Sequence, residues 1–418
     1  MMAIAAPPTS PRAAYIHIPF CRRRCFYCDF PISVLGDRAT GHTSGSIAAY
    51  VDLLCQEIRT ATVAPGPPLT SIFFGGGTPS LLTVAQLAQI LATLAARWSI
   101  ASGAEISLEM DPGTFDQAQV CGYRAAGITR VSLGVQAFQD DLLQVCGRSH
   151  RVADIQPAVA AVRAAGIENL SLDLIAGLPY QTPAQWQASL ERAIALAPAH
   201  LSCYDLVLEP TTPFGKQYRP GQQPLPEDET TANFYRQAQQ SLTTAGWEHY
   251  EISNYARPGY HSRHNLTYWH NQPYYGFGMG AASYVGGRRY SRPRTRREYA
   301  AWVAAGSKVD SPITSPREGI LETLMLGLRL GAGVDLSPFD DPTREALHRA
   351  LTPYARQGWV WLRAAAGPVL AWPAQPPLPA CARLGLSDPE GFLFSNTILA
   401  ALFAQLGDEG GGPHVPRD

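Results

Sequence analysis

Six short apolar runs alternate with six segments of helical period, and this alternation constrains the chain more than any other feature. The runs are Ala14 to Ile18, Ser71 to Phe74, Glu105 to Met110, Arg130 to Val135, Leu170 to Ile175 and Leu201 to Leu208. They are rich in β-branched residues and read as strands. Between them lie Ile47 to Thr60, Val84 to Trp98, Gln117 to Ala126, Ile155 to Ala165 and Ala184 to Leu196, and a sixth helix is expected over Asp228 to Ala245. Gly127 and Gly166 stand where helices should stop. Short connections between strand and helix require parallel strands joined by right-handed crossovers. Six units fall short of the eight that close a barrel. The expected class is therefore α/β, a partial, laterally open (β/α)6 barrel.

At 418 residues a second, smaller domain is expected. We divide the chain into a flexible N-terminus (1–13), the barrel (14–247), a Gly/Tyr/Arg-rich connecting region (248–310), an α+β C-terminal domain of winged-helix type (311–406) and a disordered tail (407–418). The C-terminal domain should hold helices over Pro316 to Leu330, Pro342 to Gln357 and Gly391 to Leu406, with a hairpin over Trp359 to Trp372. A formal net charge of -1 argues against a nucleic-acid partner. Neither a signal peptide nor an apolar run of membrane-spanning length is evident, so a cytoplasmic location is expected.

Eight cysteines are too few for a disulfide framework, and three of them follow the first strand in HIPFCRRRCFYCDF. Cys21, Cys25 and Cys28 have the spacing C-x3-C-x2-C. Three soft thiolates on one loop suit three corners of an iron–sulfur cubane and leave one iron open for an exchangeable ligand. A structural zinc site is the alternative, because His17 on the same stretch offers a fourth ligand. The other five cysteines read as inert thiols.

Further chemistry is expected where strands end. FFGGGTPS follows the second run, and its glycines let backbone N–H groups approach a ligand closely. Glu109 in LEMDP, Gln136 in LGVQAF and Asp173 in LDLIAGLP are polar groups set in apolar strands, each needing a partner or a role. Structural hydrogen bonding is the competing account for any one of them.

YIHIPFCRRRCFYCDF resembles the signature of the radical SAM superfamily, in the HemN/HemW branch that joins coproporphyrinogen III dehydrogenase to the heme chaperones. The resemblance runs over nearly the whole chain. It implies a radical SAM barrel with a 4Fe–4S cluster on Cys21, Cys25 and Cys28, and S-adenosylmethionine (SAM) bound by its amino and carboxylate groups to the open iron. It further implies SAM contacts from Tyr15, Tyr27, Gly76, Gly77, Thr78, Glu109, Gln136, Arg148 and Asp173. Arg148, in CGRSH, would serve the carboxylate side. SPREGILETLMLGLRLGAGVDL and DPEGFLFSNTIL resemble the branch's C-terminal domain.

Two features separate the branch's functions. The dehydrogenases carry a fourth cysteine two positions after the third, where this chain has Phe30, and HNLTYW resembles a motif associated with heme in the chaperones. The resemblance thus implies a heme chaperone that passes heme to an acceptor protein, with His264, Asn265, Tyr268 and Trp269 at the heme. His261 and His270 compete for the iron. Oxygen-independent decarboxylation of coproporphyrinogen III is the alternative, and SAM cleavage is left open. The arginines from Arg288 to Arg297 could meet propionates, a partner or a membrane surface, or simply face solvent.

Overall fold

The computed structural model describes residues 10–37, 40–62, 66–365 and 367–407. Most of the expected flexible N-terminus and nearly all of the tail lie outside the described residues. The six expected strands form as β1 (Ala13–Ile18), β2 (Leu69–Gly76), β3 (Ile100–Met110), β4 (Arg130–Gln136), β5 (Asn169–Ala176) and β6 (His200–Asp205). They pair in chain order, all parallel. The helices between them are α1 (Gly45–Thr60), α2 (Val84–Trp98), α3 (Gln117–Ala126), α4 (Val152–Ala164), α5 (Pro183–Ala195) and α6 (Asp228–Thr244). Capping explains their starts: Thr83 and Thr182 each accept from the N3 backbone while Gln86 and Gln185 reach back. Gly127, at φ +118°, ends α3 in the left-handed conformation.

The sheet does not end at residue 247. Strands β7 (Glu248–Glu251) and β8 (Asn254–Ala256) extend it antiparallel beyond β6, and β9 (Tyr275–Phe277) pairs parallel with the far side of β1. The connecting region thus supplies both edges of the barrel. Between β8 and β9 lies α7 (Arg263–Trp269).

Side chains alternate along every strand. Ile16, Ile72, Leu108, Leu133, Leu172 and Leu201 are buried in the apolar cluster shared with the helices. Their neighbours in sequence are Tyr15, Ser71, Glu109, Ser132, Asp173 and Ser202, which carry hydroxyl or carboxyl groups. Period-2 alternation puts these on the opposite, lumen face. The lumen is therefore polar, unlike the apolar layers that fill a closed barrel.

The C-terminal part has its own apolar core, with Leu324, Leu347, Leu362, Leu384 and Leu402 among its members. Helices Pro316–Gly327 and Asp341–Arg356 match expectation, and the hairpin Val360–Ala364 and Val369–Leu370 joins a four-stranded antiparallel sheet. The expected single last helix is broken into Glu390–Leu393 and Ser395–Gly407. Among the described residues no helix is long and apolar enough to cross a membrane.

Candidate functional site at the carboxyl ends of the strands

The three cysteines sit on the loop leaving β1, all half-buried. Burial pushes the Cys21 thiol up to about 12, opposed by a hydrogen bond with Thr78, and Cys28 is raised for the same reason. Cys25 Sγ lies 3.5 Å from the Arg148 guanidinium. Among the described residues no three His, Cys, Asp or Glu side chains close to single-ion distance, so donor chemistry, not convergence on one ion, makes the case for a cage of irons. His17 is not free to add a fourth ligand: Nδ1 is 3.0 Å from the Tyr15 hydroxyl and Nε2 is 3.1 Å from the Pro31 carbonyl.

The glycine turn after β2 packs against this loop without spare room. A Cβ at Gly77 would lie 2.7 Å from the Phe20 carbonyl oxygen, and one at Gly76 would lie 2.3 Å from the His17 ring. Gly76 also needs its φ of +108°. Its N–H donates to Glu109 Oε2 at 3.0 Å. Burial first, and then the neighbouring Asp173, pushes Glu109 up to about 8. A positive charge brought beside it would favour its carboxylate form.

Asp173 accepts from Ser132 Oγ at 2.9 Å, and burial raises its pKa although hydrogen bonds from Ser202, Ser132 and Ser171 oppose the rise. Gln136 ends β4 at φ +64°, a conformation that costs energy for a non-glycine residue and is kept at sites with a purpose. Gly134 beside it makes room: a Cβ there would meet Asp111 Oδ1, Gln136 Nε2 and Arg148 Nη2, all within 3.1 Å. Arg148 pairs with Asp111 and donates to the Gly134 carbonyl at 2.8 Å. Burial raises the Tyr15 phenol, and an ionised Glu109 nearby would raise it further. Tyr27 instead packs into a small apolar cluster with Leu142, Cys146 and Phe214. Arg148 and Thr78 both depend on Asp111, which also accepts from Thr78 Oγ1 at 3.1 Å. Asp111, just beyond the end of β3, was not among the residues expected from the sequence.

The HNLTYW segment lies at the other end. It forms α7, which closes the amino-terminal floor of the barrel. Glu105 accepts from the Arg263 and His264 backbone N–H groups at 3.2 and 3.0 Å, and Ser262 caps the helix. His264 is buried, stacked on Phe73 at 5.2 Å, with Nδ1 3.1 Å from Ser71 Oγ and Nε2 2.8 Å from the Tyr268 hydroxyl. Burial lowers it to about 3, so it is neutral. Both ring nitrogens are engaged, which leaves no lone pair for iron in this conformation. Asn265 and Trp269 are half-buried on the same helix, Trp269 beneath the Arg329 guanidinium at 4.5 Å. His261 pairs with Glu248, and His270 is exposed.

Half of the six arginines in this stretch are held in ion pairs. Arg292 pairs with buried Glu57, Arg289 with Glu322, and Arg294 with Asp29. Only Arg288, Arg296 and Arg297 are left facing outward without an ion pair among the described residues.

Comparison with known proteins agrees with this layout. Residues 15–193 match the Radical SAM superfamily, and residues 314–365 match the HemN C-terminal domain. A heme chaperone HemW of Synechocystis is 50% identical over 406 residues, spanning 96% of this chain and 98% of its own length. The chain belongs to the HemW family of the radical SAM superfamily. The Escherichia coli heme chaperone HemW is 38% identical over 290 residues, covering 68% of this chain and 74% of its own. The solved coproporphyrinogen III oxidase HemN of Escherichia coli shares the fold at a TM-score of 0.77, with 23% identity over 96% of this chain and 91% of that one. Membership of the radical SAM superfamily implies a 4Fe–4S cluster and SAM. The strand-end residues fit both: three thiols on one loop, a glycine turn with no room for side chains, and a neutral buried acid.

Proposed function

We propose that this chain is a heme chaperone: it binds heme and delivers it to an acceptor protein, with cluster and SAM bound at the carboxyl ends of the strands. The observation that carries the reading is Phe30, more than half exposed where the dehydrogenases have a fourth cysteine, in a chain half identical to a named chaperone over nearly its full length.

In this reading Cys21, Cys25 and Cys28 hold the cluster, which together with SAM supplies one-electron cleavage chemistry. Glu109 would give up its proton to accept a hydrogen bond from the ligand's amino group, while Gly76, Gly77 and Thr78 would line its methionine part. Gln136 and Asp173 serve the ribose and adenine side, with Ser132 fixing the Asp173 carboxylate. Arg148, already balanced by Asp111, stands between the thiols and the ligand's carboxylate and keeps both anions compatible in one site. Tyr15, fixed by His17, forms the wall on the β1 side.

The test is anaerobic cluster reconstitution followed by hemin titration, with a parallel assay of coproporphyrinogen III under dithionite and SAM. The reading expects saturable hemin binding and no protoporphyrinogen. Protoporphyrinogen formation, or the absence of hemin binding, would replace it.

A further inference from the structure

Between the cysteine loop and the short helix Asp140–Val145 lies an open cleft of about 460 Å³. Its lining gathers Arg23 and Arg24 from the loop with Arg148 and Arg151 from the segment after that helix, and Phe26 lies among them. Guanidinium groups brought this close repel one another unless something negative faces them. Among the described residues the one carboxylate in the lining is Asp140, whose Oδ1 already accepts from the Val152 N–H at 2.8 Å. Arg148 is balanced by Asp111. Arg23 pairs with Asp37, but both side chains are more than half exposed, so water weakens that pair. Arg24 donates to the Cys28 and Phe30 carbonyls at 3.1 and 3.3 Å, Arg151 is exposed, and neither makes an ion pair among the described residues. The cleft is left with positive charge to offer.

Its position gives that charge a use. Arg24 is bonded to Cys28 through the carbonyl, and Arg148 Nη1 lies 3.5 Å from Cys25 Sγ. Phe26, next in sequence to Cys25, is 42% exposed and lies against the chain at Gly147, where a Cβ would come within 3.2 Å of its ring. The walls of the cleft therefore touch two of the three cysteines from the solvent side, while the lumen is the side assigned to SAM.

We propose that this cleft is the docking site of an acidic one-electron carrier protein, which sets its reduced centre beside Cys25 and Cys28 and reduces the cluster. The proposal rests on the cluster and SAM reading above and supplies the partner which that reading calls for, because one-electron cleavage chemistry consumes an electron. The step is electron transfer alone: the carrier's reduced centre loses one electron, the oxidised cluster gains it, and no bond or proton moves. Such transfer weakens steeply with distance, so the carrier has to sit against the cysteine loop. Arginines around one exposed aromatic ring suit a small, short-lived interface steered by opposite charge.

The test uses the full, cluster-reconstituted chain and a plant-type [2Fe–2S] ferredoxin, an acidic carrier, as the probe. Bleaching of the cluster's visible absorption is followed by stopped flow, with methyl viologen radical cation as a small donor that needs no basic surface. Arg23→Glu with Arg151→Glu changes two exposed side chains and no residue assigned to the cluster or SAM. At low salt the ferredoxin rate, taken relative to the viologen rate, is expected to fall about tenfold or more in this double variant. Arg23→Gln with Arg151→Gln, which removes the charge without reversing it, is expected to fall in between. Added salt should slow the unaltered chain's reaction with ferredoxin steeply and the reversed variant's little. A rate ratio unchanged in both variants, a salt-insensitive reaction of the unaltered chain, or a cluster that viologen reduces and ferredoxin does not, overturns the docking site and leaves the cluster reading standing. An unaltered chain that assembles no reducible cluster removes the reading itself.

Discussion

Nδ1 of His264, on the helix after β8, lies 3.1 Å from the Ser71 hydroxyl near the start of β2, which joins the floor of the barrel to its wall across 193 residues of sequence. Removing the imidazole breaks its hydrogen bonds with Ser71 and the Tyr268 hydroxyl. We expect His264→Gln to cost about 1–3 kcal/mol, read from denaturant unfolding. The pH dependence has a definite sign. The unfolded imidazole takes a proton near pH 6.5, whereas the buried one waits until about 3, so this contribution to stability is present above 6.5 and fades as pH falls toward 3. The variant should lose less stability than the parent over that range.

Glu109 titrates in the opposite sense. Its folded-state value of about 8 stands above the ordinary 4.5, so its protonated form stabilises the ligand-free protein below 4.5, and that contribution disappears as pH rises through 8. Accepting a hydrogen bond from the ligand's amino group favours the carboxylate. SAM affinity measured by calorimetry should therefore rise with pH up to about 8 with release of a proton, and Glu109→Gln should bind weakly with a flat profile.

Glu57 in α1 accepts from Arg292, from the Gly278 N–H at 2.8 Å and from the Tyr299 hydroxyl at 2.6 Å, all of them buried. Removing one partner of such a pair leaves an uncompensated charge. Glu57→Ala is expected to destabilise the chain by about 3–5 kcal/mol in thermal or denaturant unfolding, with the edge strand β9 exchanging its amide hydrogens sooner.

Gly76→Ala combines a strained φ with a methyl group placed 2.3 Å from the His17 ring. It should displace His17 from Tyr15 and abolish SAM binding in calorimetry while the far-ultraviolet circular dichroism is retained.

The barrel was legible because its strands and helices each obey one local period. Val84–Trp98 and Gln117–Ala126 form over the residues their apolar spacing and caps indicate. The edges were not legible, because Tyr275–Phe277 is too short to carry a period and becomes a strand only by pairing with β1. The break at Phe394 in the last helix is a matter of packing: that ring stacks on Trp359 at 4.3 Å, from another part of the domain. At the site, the cysteines and glycines announced themselves by spacing. Asp111 and Ser132 did not, since what makes them matter is the Arg148 and Asp173 side chains that folding brings across the lumen. His264 shows the converse, a motif conspicuous in sequence whose ring the fold spends on hydrogen bonds.

The most direct test of the central claim is the iron and sulfide content of anaerobically reconstituted protein, followed by electron paramagnetic resonance of the reduced cluster with and without SAM. The account predicts about four irons and four sulfides per chain, a signal that changes when SAM is added, and loss of both in Cys21→Ala/Cys25→Ala/Cys28→Ala. Iron and sulfide retained by the triple variant, or a signal in the unaltered chain that ignores SAM, would contradict it.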